Sequence, residues 1–303
     1  MASLGMSAST RASSTGYDVH EQNSLQQTDP STLAIGYSPP GGFFVDQFSL
    51  VAAIDTGGTS LSAAPILGFA NGGSVTFPTG PSFSPSVPTG NGYNKYQWGN
   101  GWTTQAALNA QYGTGTFTFT LGNATVQPTL SLNTVNPTYP VSPMLTGGGM
   151  WSGGILYVDP ALTTVLTFNS SAFTDYAAAT GSSTSGAQIK LEFVDANLAA
   201  ISAPSVSRNG LGKSDPPLTS YTIAPGTLTP GQLYNFQANY TVYDTVNNTA
   251  FTGTGISGTP QGAAGYLTTT FIKVEALPEP SSAVLMLGSG FMFLLKRRRN
   301  SAH

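Results

Sequence analysis

Between residues 233 and 243 apolar and polar side chains alternate without a break. In an extended chain Tyr234, Phe236, Ala238, Tyr240 and Val242 point one way, and Asn235, Gln237, Asn239 and Thr241 the other. A period of two is the repeat of a strand, so the stretch predicts a half-buried strand in a sheet with one wet face. The same period recurs at Phe117, Phe119 and Leu121 between Thr116, Thr118 and Thr120. It also sets Leu162, Thr164, Leu166 and Phe168 on one face, and Ile189, Leu191 and Phe193 opposite Lys190 and Glu192. Further strands are expected at 43–54, 74–77, 94–98, 127–132, 155–158, 220–223 and 265–274, separated by Pro/Gly clusters. The 36 Gly and 21 Pro work against long helices, since Gly costs about 1 kcal/mol and Pro about 3 in a helix interior. Helical periodicity is confined to 103–112, where Ala107, Leu108, Gln111 and Tyr112 share a face and Gly113 supplies a stop. Many short strands with few helices between them predict an all-β fold of antiparallel β-sandwich type with one short helix, plus a single hydrophobic helix at the C-terminus.

A chain of 303 residues has room for one large or two modest domains. Residues 1–32 are polar and Ser/Thr-rich, the composition of a disordered segment. A β-rich module is expected over 33–124, a β-sandwich domain over 125–276 with the boundary near 122–127, and a separate tail over 277–303. Charged residues make up only 8% of the chain, about a third of the usual ~25%, so uncharged polar groups must provide solubility. The absence of cysteine excludes disulfides, cysteine nucleophiles, Cys-based zinc sites and Fe–S clusters. The two histidines, His20 and His303, both fall in segments expected to be loose ends, which leaves a Ser-His-Asp triad without a well-placed base. Net charge is −3, and four of the ten basic residues sit together at 296–299. The body therefore lacks the basic surface that nucleic acid requires.

Several motifs resemble catalytic or binding signatures and fall short of them. Asp55-Thr56-Gly57 matches the aspartic-protease loop, but that chemistry needs two such carboxylates about 3 Å apart. The second Asp-Thr, Asp244-Thr245, continues with Val246 instead of Gly, so Asp55 is expected to end a strand at a turn. Asp159, Asp175, Glu192 and Asp195 are the acids of the second half weighed for glycoside chemistry, and Asp159-Pro160 and Asp195-Ala196-Asn197 look like turns. No D-x-D-x-D-G calcium loop appears. Trp98, Trp102 and Trp151, with Tyr93 and Tyr96, could stack on sugar rings, although packing in a sandwich interior is the expected role of such aromatics. The Thr116, Thr118 and Thr120 ladder is expected to be the polar side of a sheet; a single strand is too little for a regular ice-binding array. No catalytic, cofactor-binding or metal-ligating residue is assigned.

The C-terminal tail carries the most specific pattern. Pro278-Glu279-Pro280 is followed by an apolar run over 283–295 and then by Lys296-Arg297-Arg298-Arg299. Thirteen residues span about 20 Å as a helix, short of the ~30 Å of a bilayer core. The basic block would stay on the cytoplasmic side and leave everything before Pro278 outside. In that order the three parts resemble the PEP-CTERM sorting signal of Gram-negative bacteria, also described as an ice-binding protein C-terminal domain. The resemblance implies recognition by an exosortase-type membrane protease and cleavage near Pro278, Glu279 and Pro280. It also implies transient anchoring in the inner membrane through 283–295, with Lys296, Arg297, Arg298 and Arg299 as the basic stop, and delivery to the cell surface or extracellular matrix. More loosely, 125–276 resembles the β-sandwich bodies of such proteins, through WSGGILYVDPALTTVLTF at 151–168 and SYTIAPGTLTPGQLYNFQANY at 220–240. LNAQYGTGTFTFTL at 108–121 is similar to a segment that commonly precedes them.

Export calls for an N-terminal signal with a basic start and 7–15 apolar residues, and residues 1–38 contain no such run. A mis-assigned start is expected, because a sorting tail has no use on a cytoplasmic protein. The expected function is that of a surface-delivered β-sandwich protein without catalytic activity. The alternative is an extracellular domain that binds or acts on carbohydrate, with polysaccharide as its partner; tryptophans and acids on one concave face would favour it.

Overall fold

The computed structural model describes residues 16–37, 46–55, 73–78, 82–83, 95–98, 101–121, 125–136, 139–169, 173, 176–181, 186–194, 201, 205–211, 215–249 and 262–278. From the N-terminus its strands are β1 (Gly16–Asp29), β2 (Thr32–Ile35), β3 (Phe48–Asp55), β4 (Gly73–Thr76), β5 (Ser82–Phe83), β6 (Lys95–Trp98) and β7 (Gly101–Trp102). The helix α1 (Gln105–Tyr112) leads into β8 (Thr116–Leu121), β9 (Thr129–Ser131), β10 (Met144–Gly147), β11 (Met150–Ser152), β12 (Ile155–Val158) and β13 (Thr164–Asn169). Last come β14 (Ala187–Val194), β15 (Val206–Leu211), β16 (Ser220–Ile223), β17 (Leu233–Asn247) and β18 (Gly262–Ala276). The fold is all-β with one short helix among the described residues. The hydrophobic helix expected over 283–295 lies outside the described residues, as do Glu279, Pro280 and the basic block.

β18 is the spine of the largest sheet, ordered β15-β14-β17-β18-β1-β3-β6. One of its edges pairs antiparallel with β17 from Leu233 opposite Glu275 to Asn247 opposite Gly262. The other edge pairs parallel with β1, Tyr17 opposite Gly262 through Gln27 opposite Ile272, and then with β12 from Leu156 opposite Val274. The sheet is therefore mixed, not purely antiparallel as the alternation alone suggested. A parallel neighbour needs a long connection, and β1 and β18, from opposite ends of the chain, have nearly the whole molecule between them. β2 and β7 flank β1 and β3, and β11 flanks β12.

Two smaller sheets, β10-β13-β16 and β5-β4-β8-β9, pack on one face of the large sheet. That inner face carries Tyr17 and Val19 of β1, Ile189, Leu191 and Phe193 of β14, and Phe236, Ala238, Tyr240 and Val242 of β17, all buried. Ring contacts join the layers: Tyr17 to Phe119 at 5.3 Å, Phe168 to Phe236 at 5.8 Å and Tyr221 to Phe236 at 5.1 Å. One apolar cluster runs through all three sheets. The helix forms where its local signals put it. The Thr104 side chain accepts from the Ala107 N–H at 3.2 Å, Leu108 and Tyr112 are buried, and Gly113 closes the last turn at φ 73°.

Five expectations are corrected. The segment assigned to disorder, 1–32, contains β1, a 14-residue strand inserted between β18 and β3. His20, expected in a loose end, is buried on it. The modules 33–124 and 125–276 are not separate layers, because β3 and β6 belong to the same sheet as β14, β17 and β18, and β9 pairs with β8 across the expected boundary. Leu162 does not join Leu166 and Phe168: its N–H closes a turn on the Asp159 carbonyl at 3.3 Å, and its side chain is 61% exposed. Finally, the polar side of 233–243 is not wet. Asn235, Gln237 and Thr241 are buried, and uncharged amides and hydroxyls tolerate this because neighbouring strands supply hydrogen bonds.

Candidate functional site

The chain leaves the body at the end of its central strand. The Ala276 carbonyl accepts from the Gly231 N–H at 2.7 Å, the Ala276 N–H donates to the Gln232 carbonyl at 3.1 Å, and the Leu277 N–H donates to the Val158 carbonyl at 2.8 Å. Pro278, which has no N–H to continue the ladder, is exposed. The Pro-Glu-Pro sequence thus begins directly after Leu277, whose N–H is bonded to the body. Among the described residues no helix is long and apolar enough to cross a membrane.

The acids singled out in the sequence are scattered. Asp55 ends β3, with its backbone registered against Gly16 on one side and Lys95 on the other. Asp244 sits at the bulge of β17, where its carboxylate accepts from three consecutive backbone N–H groups, Thr134 at 2.7 Å, Val135 at 2.6 Å and Asn136 at 2.7 Å. The second Asp-Thr is therefore a clasp for the segment after β9. Asp159 accepts from the Ala161 N–H at 2.9 Å and caps its own turn, as its Pro neighbour suggested. Asp175 and Asp195 lie outside the described residues, as do Tyr93, His303 and the side chains of Trp98, Tyr96 and Asp55. Trp102 is half-buried and meets Tyr112 edge-on at 5.0 Å, and Trp151 also packs half-buried against the core. On the polar side of β8, the Thr116 hydroxyl bonds that of Ser131 at 3.1 Å. No group of three His, Asp or Glu side chains that could hold a metal occurs among the described residues.

Three polar clusters inside the fold were not anticipated. Glu21 lies on the inner face of β1, fully buried, with one hydrogen bond among the described residues, from the Tyr139 hydroxyl to Oε2 at 3.1 Å. Tyr266 meets Tyr139 edge-on at 5.4 Å, and the Phe48 ring lies 5.6 Å from Tyr139. Burial pushes the Glu21 carboxyl up to about 7, against the lowering effect of the Tyr139 bond. Burial first, and then the charge of Glu21, push the Tyr139 hydroxyl up as well. The second cluster crosses the outer face of the large sheet. The Gln22 amide donates to the Ser24 and Thr269 hydroxyls at 3.0 and 3.1 Å, and the Thr269 hydroxyl donates to Asn239 at 2.7 Å. Tyr37 stacks on Phe271 at 4.2 Å and bonds Asn235. In the third cluster Glu192, 1% exposed, accepts from both Lys190 and Gln237. Periodicity placed Lys190, Glu192 and Gln237 on the polar faces of their strands; their meeting depends on the pairing of β14 with β17, which no local pattern encodes.

No protein-family model matches the chain, and no curated protein is similar to it in sequence.

Proposed function

We propose that this chain is an exported surface or extracellular-matrix β-sandwich protein, sorted through its C-terminal tail by an exosortase-type membrane protease and without catalytic activity of its own. The observation that carries this reading is the exposure of Pro278, two residues after the last paired residue of the central strand and directly after the Leu277 bond to Val158. A protease needs an extended, accessible stretch, and Pro278, which has no N–H to donate, opens the Pro-Glu-Pro sequence directly after Leu277. The apolar run is long enough to enter a bilayer and short for staying in it, and Lys296, Arg297, Arg298 and Arg299 would fix its orientation. The carbohydrate alternative draws less support, because Trp102 and Trp151 rest against the core and Asp159 and Glu192 are engaged within the fold.

The test is expression behind a working N-terminal signal in an exosortase-containing host. The parent should appear at the inner membrane and then be cleaved near Pro278, Glu279 and Pro280. Combined Arg297→Ser, Arg298→Ser and Arg299→Ser substitution should impair both retention and processing. Unchanged processing of that triple variant would sink the proposal.

A further inference from the structure

Lys190 and Glu192 stand two apart on β14 and so share a face, and β17 places Gln237 directly opposite Glu192. One oxygen, Glu192 Oε1, accepts from both Lys190 Nζ, at 2.7 Å, and Gln237 Nε2. The Glu192 side chain is 2% exposed and the Lys190 side chain 15%. Among the described residues Glu192 Oε2 finds no hydrogen-bond partner. An amine and a primary amide thus face each other across one carboxyl oxygen, in a place nearly closed to water.

A buried ion pair is costly, and a proton moving from ammonium to carboxylate removes both charges. That transfer leaves a nucleophilic amine beside a carboxylic acid and an amide, the set needed for transamidation. We propose that Lys190 and Gln237 condense to an isopeptide bond between β14 and β17, with Glu192 carrying the proton. Lys190 Nζ attacks Gln237 Cδ, and the Cδ–Nε2 bond breaks. Glu192 gives its proton to the leaving nitrogen, takes one back from Nζ, and ammonia departs. An ammonium, a carboxylate and a primary amide become a secondary amide, a neutral acid and ammonia, so atoms and charge balance without an oxidant. Two effects drive the change: the desolvated site ends without charges, and ammonia is lost to solvent. The link ties together strands whose pairing is distant in sequence, in a chain with 0 Cys and hence no disulfide. It does not depend on how the tail is used.

The experiment is intact-mass and peptide-map spectrometry of the purified full-length protein. The expected mass is lower than that of the sequence by one ammonia, with a branched peptide joining Lys190 to Gln237. Lys190→Arg keeps the charge and cannot condense, so it should restore the full mass with an unchanged far-UV circular dichroism spectrum. Glu192→Gln should do the same. A parent of full mass with unlinked peptides overturns the proposal, as does an ammonia loss that maps to any other residue. A linked Glu192→Gln variant overturns the role given to Glu192.

Discussion

Glu21 is a carboxyl placed where a leucine would ordinarily sit: on the core-facing side of a central strand, with Leu50 opposite it on β3 and aromatic rings around it. Its value in the fold, about 7, lies above the 4.5 of an exposed glutamate. The folded state therefore holds a proton that the unfolded chain releases, and the stabilisation is fully present below about pH 4.5 and lost as pH rises through 7. A shift of this size corresponds to about 3 kcal/mol between the two limits. The groups facing it are Tyr139 and Tyr266, with Asp244 acting on Tyr266 from β17. Urea midpoints measured from pH 4.5 to 8 should fall for the parent and stay nearly level for Glu21→Gln, which keeps the shape and cannot ionise. Tyr139→Phe removes a donor that favours the charged form, so it should move the fall to higher pH. A parent whose midpoint rises over this range would contradict the assignment.

At the scale of elements, β17 and β18 stay paired across a bulge between Tyr243 and Thr245, and Gly265 lies opposite it. A Cβ on Gly265 would lie 2.2 Å from the Val242 carbonyl oxygen, which is backbone and cannot swing away. Gly265→Ala should therefore force the two strands apart and cost about 2 kcal/mol or more in chemical denaturation, as overpacking of a rigid neighbour does; a neutral substitution would show that the bulge yields. The bulge also explains what was legible in the sequence. The strands over 116–121, 189–193, 220–223 and 233–243 alternate strictly, and α1 has Thr104 and Gly113 at its ends, so local rules sufficed there. β1 was not legible. Its Glu21, Gln22, Ser24 and Gln27 are all buried, and Gln22 and Gln27 meet partners that only tertiary pairing brings close, Thr269 at 3.1 Å for Gln22 and, for Gln27, Leu145, whose carbonyl and N–H both bond it at 2.8 Å. The meeting of Lys190, Glu192 and Gln237 was hidden for the same reason.

For the whole molecule, the two ends of the body form one seam. β1 contributes Tyr17, Val19 and Leu25 to buried positions and fills the slot between β18 and β3, so the sheet closes only when both ends of the body are in place. Contacts this distant in sequence cost loop entropy before they return any stability, which makes closure a late step. The two ends of the chain should then respond oppositely to truncation. Starting at Thr32 removes β1 and leaves two long strand edges without partners, together with a gap in the core; such a chain should show no cooperative thermal transition. Ending after Pro278 keeps every pairing of β18 and the bond from Leu277 to Val158. That chain should match the full-length protein in detergent to within about 1 kcal/mol, as surface changes away from packed features do. Calorimetry of the two truncations decides the matter. A cooperative melt for the chain starting at Thr32 would show that β1 is dispensable, and collapse of the chain ending at Pro278 would show that the tail belongs to the fold and not to its delivery.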